Sequence, residues 1–368
     1  MFSKSDPLRG LLGIVLSLLL VALVGRFMVV GKSFLLPIII AVISVYVLVE
    51  ASDALRRVPI AGRAPEWARR ALVLVGFLVI AFWLGGVMMS TASQVSAKLP
   101  EYQANIDRLY AELAGMAGLS ELPDLGQMLE RLSAALPISE IASAVLGSIS
   151  SAAGLMFMVL VYATFLMGER SGFAHKIAVA LPGERAHRAS AIIADINDAI
   201  GKYIAVKTLV NAILGVLSYL AMRALGVDFA LFWAVLIALL NYIPYVGSLL
   251  GVVFPVVLSM AQFGSVQKTL VIAVLLTAAQ MWVGNALEPR MVGRRINMSP
   301  FVVLVALALW SSIWGAAGAI LAIPLTSIIA IVMASFASTR PFAILLAQNV
   351  EPFEAAGMVE PCDTKDVS

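Results

Sequence analysis

A chain of 368 residues that is 61% hydrophobic and only 13% charged is not an ordinary soluble protein, in which about a quarter of residues carry charge. Its net charge of +3 comes without a basic-aromatic stripe, so nothing suggests a nucleic-acid partner. A single cysteine, Cys362, excludes an intramolecular disulfide and a cysteine metal cluster, and the two histidines, His175 and His187, lie in a charged loop outside any metal-ligand motif.

Several apolar stretches of about 18 residues or more mark an all-α polytopic membrane protein. The alternating segments of an outer-membrane barrel are missing. The first stretch, Leu8 to Val24, follows Pro7 with a modest basic start (Lys4, Arg9) and has no convincing small-residue cleavage site after it, so it reads as a retained helix. A second crossing runs from Phe34 to Val49 and carries Pro37. The next loop holds Arg56, Arg57, Arg63, Arg69 and Arg70, and such a cluster belongs in the cytoplasm. The N-terminus then lies there too, with Arg26 and Lys32 as a minor violation outside. A third crossing over 71–90 completes an N-terminal scaffold of residues 1–90.

Residues 91–146 are polar and mainly acidic, which suits an extracytoplasmic amphipathic helical region. Pro100 opens one helix there, with Tyr102, Ile106, Leu109 and Leu113 at helical spacing. After Pro123-Asp124, the residues Leu125, Met128, Leu129, Leu132 and Leu136 mark a second. Residues 147–206 hold a fourth crossing at 147–167 and cytoplasmic connecting helices. Pro182-Gly183 breaks that connection, and Ile192, Ile193, Ile196, Ile200 and Ile204 then lead into a fifth crossing at 207–224.

The apolar run Phe229 to Met260 is over-long for one crossing: about 32 residues of helix would reach about 48 Å against a hydrocarbon core of about 30 Å. It is interrupted at Asn241-Tyr242-Ile243-Pro244-Tyr245-Val246-Gly247, where Pro244 removes a backbone donor. A single crossing would place Arg290, Arg294 and Arg295 outside, against the positive-inside rule. A re-entrant hairpin at 229–260, or a pair of short crossings, returns the next helix, 269–287, to the cytoplasm. The second run, 301–336, is broken at Trp310 to Gly318 and carries Pro324. Together they read as two broken hairpins in an inverted repeat, within a transport unit of residues 207–336, followed by a cytoplasmic tail at 337–368.

Breaks at membrane depth survive only where protein buries them or where they line a watery cavity. Asn241, Tyr242, Pro244, Tyr245 and Gly247 at the first break, and Ser311, Ser312, Trp314 and Gly315 at the second, are therefore candidate substrate-binding positions. Gln280 and Asn285 join them from the helix between. The alternative is that Asn241 and the serines only satisfy the broken backbone. Glu288 and Asp228 are candidates for coupling to H+ or Na+; Glu288 could equally pair with Arg290 or Arg294 at the interface. Lys207, Asn211 and Arg223 read as helix-end or snorkelling positions. Gly85-Gly86 and Gly215 suit helix packing. Protease and ATP-binding motifs are missing from the sequence, which points away from an enzyme and a cofactor.

Four segments together resemble the autoinducer-2 exporter family of permeases. They are Leu240 to Gly247, Asn285 to Gly293 (NALEPRMVG), Ser299 to Leu304 (SPFVVL), and Trp314 to Gly318 with Ala322 to Leu325. Their order and spacing also match, and the likeness is strongest over 200–330. The resemblance implies a prokaryotic plasma-membrane protein of about eight membrane segments that forms homo-oligomers, a pentamer among them, and moves a hairpin-bearing part in an elevator-like way. Members of that family are described as exporters of autoinducer-2, and some as sodium(lithium)/proton antiporters. The expected function is a secondary transporter that holds a small polar solute between the two breaks. A cation/proton antiporter and a passive oligomeric channel are the alternatives.

Overall fold

The computed structural model describes residues 7–56, 63–117, 154–155, 157–169, 172, 176, 179–181, 183–292, 297–351 and 353. Every regular element among them is helical. The chain order is α1 (Pro7–Val30), α2 (Lys32–Leu55), α3 (Glu66–Ala117), α4 (Phe157–Glu169), α5 (Glu184–Ala224), α6 (Ala230–Leu240), α7 (Val246–Phe263), α8 (Val266–Trp282), a π turn (Val283–Leu287), α9 (Glu288–Val292), α10 (Pro300–Trp314), α11 (Ala316–Ala334) and α12 (Arg340–Leu346). Seven of the described helices are long and apolar enough to cross a membrane, so this is an all-α polytopic membrane protein. Side chains such as Leu18, Val21, Phe82 and Phe165 are more than half exposed, as lipid-facing residues are.

Two expectations change. Pro100 does not open a helix: it sits inside α3, which runs unbroken for 52 residues from membrane-spanning into polar sequence. A proline removes one donor, and a long helix tolerates that loss where the freed carbonyl finds water. The amphipathic stretch expected to lead into the fifth crossing is continuous with it, but Lys207 does not mark a helix end. α5 is a single helix of 41 residues, about 61 Å long; Lys207 lies in its interior and is 6% exposed. The second amphipathic helix expected at 125–136, Pro182, His175, Arg294, Arg295 and Cys362 lie outside the described residues.

The described residues fall into two compact units, one within Met1–Ser44, Met158–Ile192 and Met298–Ser368, the other within Val45–Phe157 and Ile193–Asn297. The core of the second joins Val210, Leu214 and Met222 of α5, Ala230, Ala234 and Ile237 of α6, and Ile272 and Leu276 of α8. α6 and α7 pack on each other as a helical hairpin, and α3 and α8 lie against it. The arms are antiparallel, because Gly247 meets Leu240 while Gly251, one turn on, meets Ile237. Eleven residues make α6 only about 16 Å long, too short to cross a bilayer core of about 30 Å.

The reversal is built from strained backbone. Tyr245 takes φ 61° and ψ −56°, and the Val246 N–H donates to the Pro244 carbonyl at 2.6 Å. This is the rare, strained form of the γ-turn. Among the described residues, Tyr245 and Phe229 (φ 55°) are the non-glycine residues at positive φ, and both belong to this hairpin.

The first unit carries the second hairpin, α10 and α11. Ser299 caps α10 by accepting from the Val302 N–H, with Pro300 at the first helical position. The chain turns at Gly315 (φ 65°), and Trp310 Nε1 donates to Thr326 Oγ1 across the arms at 3.0 Å. α1 packs against α10, and Trp314, 1% exposed, donates to the Met28 carbonyl at 3.0 Å.

Candidate functional site

α5 presents a polar stripe on an otherwise apolar helix. Tyr203, Lys207, Asn211, Gly215 and Ser218 recur at spacings of three or four, and all are buried. Residues so spaced share one face. Gly215 lets α6 approach closely: a Cβ there would lie 3.2 Å from that of Ala238. The stripe is met by the broken end of α6 and by α8, and three contacts result.

The first is a chain of amides. Asn241, 7% exposed at the end of α6, donates through Nδ2 to Asn211 Oδ1 at 2.8 Å, and Gln280 Nε2 of α8 donates to Asn241 Oδ1 at 2.7 Å. Asn211 is 2% exposed, and its Nδ2 has no hydrogen-bond partner among the described residues. Amide orientation is assigned from the network, and turning all three amides together would preserve both bonds. In either sense the end of the chain at Asn211 stays buried without a partner, at a cost of about 1–3 kcal/mol.

The second contact is Thr208. Its hydroxyl donates to the Ile204 carbonyl at 2.7 Å, so in its 2.7 Å contact with Tyr242 the phenol is the donor. The third is an ion pair: Lys207 Nζ lies 2.6 Å from Glu288 Oε1, with side-chain exposures of 7% and 27%. Glu288 directly succeeds the π turn, which inserts a residue into the helix and so rotates the next side chains about its axis. The partner found is Lys207, which projects from the facing helix; of the expected partners, Arg290 lies exposed and Arg294 is outside the described residues.

The other expected positions divide. Pro244 and Tyr245 form the turn, with Tyr245 57% exposed. Gly247 is required by the approach of α7 to the Leu240 carbonyl. Asn285 lies exposed in the π turn. Ser311 and Ser312 donate to the Ala308 and Leu309 carbonyls of their own helix at 3.1 and 2.7 Å, the backbone-satisfying alternative. Trp314 is a packing residue of the first unit, stacked obliquely on Trp310 at 5.4 Å. Gly85 and Gly86 face open space within this chain, unlike Gly215. Lys207, Thr208 and Asn211 are not expected at the site from sequence; the polar i, i+4 stripe in an apolar helix is their signal.

Asp228 serves a different cluster. α5 ends with Gly226 at φ 73° and the Val227 N–H bonded back to the Met222 carbonyl at 2.9 Å, a helix stop that delivers Asp228 beside α3. There its Oδ2 accepts from Lys98 Nζ at 2.6 Å and from the Tyr102 hydroxyl at 2.9 Å. Gln262 joins the two ends of the hairpin, accepting from the Asp228 N–H and donating to the Gly226 carbonyl, each at 2.8 Å. Asn105 Nδ2 of α3 donates to the Gln262 carbonyl at 2.6 Å. Burial, then the hydrogen bond to Asp228 and that carboxylate's charge, push the Tyr102 phenol well above its ordinary range. Among the described residues no three His, Cys, Asp or Glu side chains come together as metal ligands.

Comparison with known proteins agrees with this architecture. The AI-2E family transporter pattern matches residues 12–338. A proposed transport protein of Haemophilus influenzae is 28% identical over 352 residues, covering 94% of this chain and 98% of its own. The proposed transport protein YhhT of Escherichia coli K12 is 30% identical over 281 residues, 75% of this chain and 78% of that one. AI-2 transport protein TqsA of Escherichia coli K12 is 26% identical over 288 residues, again 75% and 78%. With the pattern matched from the first membrane helix to the end of the second hairpin, the chain belongs to the AI-2E transporter family.

Proposed function

We propose that this protein is a secondary transporter that exports a small polar solute of the autoinducer-2 type across a bacterial inner membrane, with both termini in the cytoplasm. The solute binds where α6 breaks, against Asn211, Asn241, Gln280 and Tyr242, and reaches the two sides alternately. The observation that carries this reading is the buried amide chain with its unpartnered end at Asn211. A buried polar group without a partner is costly in a packed helix bundle, and polar groups at membrane depth mark solute pathways. The break between α6 and α7 and the strained turn at Tyr245 fit the broken-helix design that transporters use for their sites.

The protein reconstituted in liposomes and assayed for autoinducer-2 efflux tests this. Asn211→Leu and Asn241→Leu are expected to lower the efflux rate by about tenfold or more, the loss of one or two hydrogen bonds to the solute. Unaltered efflux in both variants would overturn the site.

Lys207 and Glu288 favour a second reading, a sodium(lithium)/proton antiporter, because a partly buried carboxylate paired with a buried lysine is the arrangement that a competing cation could open. Absence of sodium-driven proton movement in the unaltered protein would dismiss it, and movement that survives Glu288→Gln would dismiss Glu288 as the coupling group.

A further inference from the structure

A cleft lies away from the amide chain. It is an open cleft with a volume of about 500 Å³, within the range of small-molecule sites, and is bordered by α3, the end of α5 and the start of α6. Gln94, Lys98, Tyr219, Arg223, Asp228 and Phe229 line it. Its charges do not balance. Lys98 and Asp228 cancel each other at 2.6 Å. Arg223 remains: it is exposed, and among the described residues it makes no ion pair and no hydrogen bond. The cavity therefore offers one uncommitted guanidinium, a phenol hydroxyl and an amide within a partly apolar wall.

We infer that this cavity binds a small organic monoanion bearing one carboxylate and one or more hydroxyl groups. A guanidinium presents a rigid fork that matches a carboxylate through two parallel hydrogen bonds, which a phosphate-free polyol cannot use. A single negative charge neutralises the cavity. A second would have to draw Lys98 from Asp228, breaking the ion pair that ties α3 to the start of the hairpin, so dianions bind less well. Gln94 and Tyr219 receive the hydroxyl groups. This site is separate from the amide chain and stands whether or not that chain carries a solute.

The full chain purified in a maltoside detergent, free of phospholipid, is titrated calorimetrically with gluconate, and with succinate and sorbitol as dianionic and neutral comparators, at constant ionic strength. Saturable gluconate binding is expected, with sorbitol silent, succinate weaker, and affinity reduced about tenfold or more in Arg223→Gln but less in Arg223→Lys, which keeps the charge and loses the fork. Arg223 is exposed, so these variants should fold; retained thermal stability confirms it. No saturable binding, equal binding of sorbitol, or unchanged affinity in Arg223→Gln would each overturn the inference. So would gluconate displacement by phosphatidylglycerol at equimolar amounts, which would identify a lipid headgroup as the occupant.

Discussion

Gly247 stands so close to Leu240 that a Cβ on it would lie 1.7 Å from the Leu240 carbonyl oxygen. Gly318 stands to Trp310 in the same way, at 1.9 Å. Each glycine comes within three positions of a residue at positive φ, Tyr245 or Gly315. The two hairpins thus close by one device: a reversal, then a glycine pressed on the last carbonyls of the preceding arm. No side chain can give way, because the obstacle is backbone. Gly247→Ala and Gly318→Ala should each cost about 3 kcal/mol, the upper end for an added methyl in a packed core. Thermal unfolding in detergent measures this, with Gly76→Ala, where a Cβ meets nothing within 4 Å, as the reference. Equal stability of the three variants would mean that the arms separate freely.

The breaks are legible in the sequence because Pro244, Gly247, Gly315 and Gly318 interrupt runs too long for one crossing, and helix length is a one-dimensional property. The pairing of Lys207 with Glu288 is not. These residues are 81 positions apart, and the π turn that aims Glu288 leaves no mark in composition. The α5 stripe lies between these cases. Its spacing is visible, but Lys207 and Asn211 read as helix ends because the charged stretch before them looks like a loop, whereas the helix starts at Glu184. Pro100 misleads for the converse reason: a local breaker is overruled by the continuity of α3.

Removing Glu288 leaves the Lys207 charge buried alone, whereas removing Lys207 leaves a Glu288 carboxylate that still reaches solvent. Glu288→Gln should destabilise the protein by about 3 kcal/mol and Lys207→Met by less, while the double variant recovers most of the larger loss. A double-mutant cycle on thermal or denaturant unfolding reads the coupling directly. Additive losses would show that the pair is solvated and contributes little.

The amide chain predicts an order of stability that differs from the order of activity. Asn241→Leu breaks two hydrogen bonds and strands Asn211 and Gln280. Asn211→Leu breaks one and removes a group that already lacks a partner. Asn241→Leu should therefore be the less stable variant, by about 1–2 kcal/mol. If Asn211 contacts the solute, its leucine variant keeps its fold and loses transport. Matching losses of stability and transport in both variants would make the chain purely structural.

Tyr102 links the Asp228 cluster to pH. Its phenol is raised above the ordinary value of 10.0 in the folded protein, so folding favours the protonated form. A group shifted this way contributes stability that is full below its unfolded value and is lost as pH rises through its folded value. The contribution is thus complete at neutral pH and declines only in alkali above about pH 10. Tyr102→Phe removes the hydroxyl that serves Asp228 and should flatten the alkaline part of the stability profile. An unchanged profile would show that another group titrates there.

The two turn residues report the sidedness of the hairpins. Tyr245 and Ser312 are both exposed within their own units, so cysteine at either position is open to a water-soluble maleimide wherever water reaches the turn. In a Cys362→Ser background, which removes the single native thiol, opposed re-entrant hairpins require Tyr245→Cys to react from outside the cell and Ser312→Cys only from the cytoplasm. Tyr245 already sits at a strained positive φ, and cysteine adds no bulk there. If each run instead makes two full crossings, each turn surfaces on the opposite side from the one its hairpin enters. The labelling pattern then inverts, with Tyr245→Cys reacting from the cytoplasm and Ser312→Cys from outside, and the re-entrant reading of both hairpins fails.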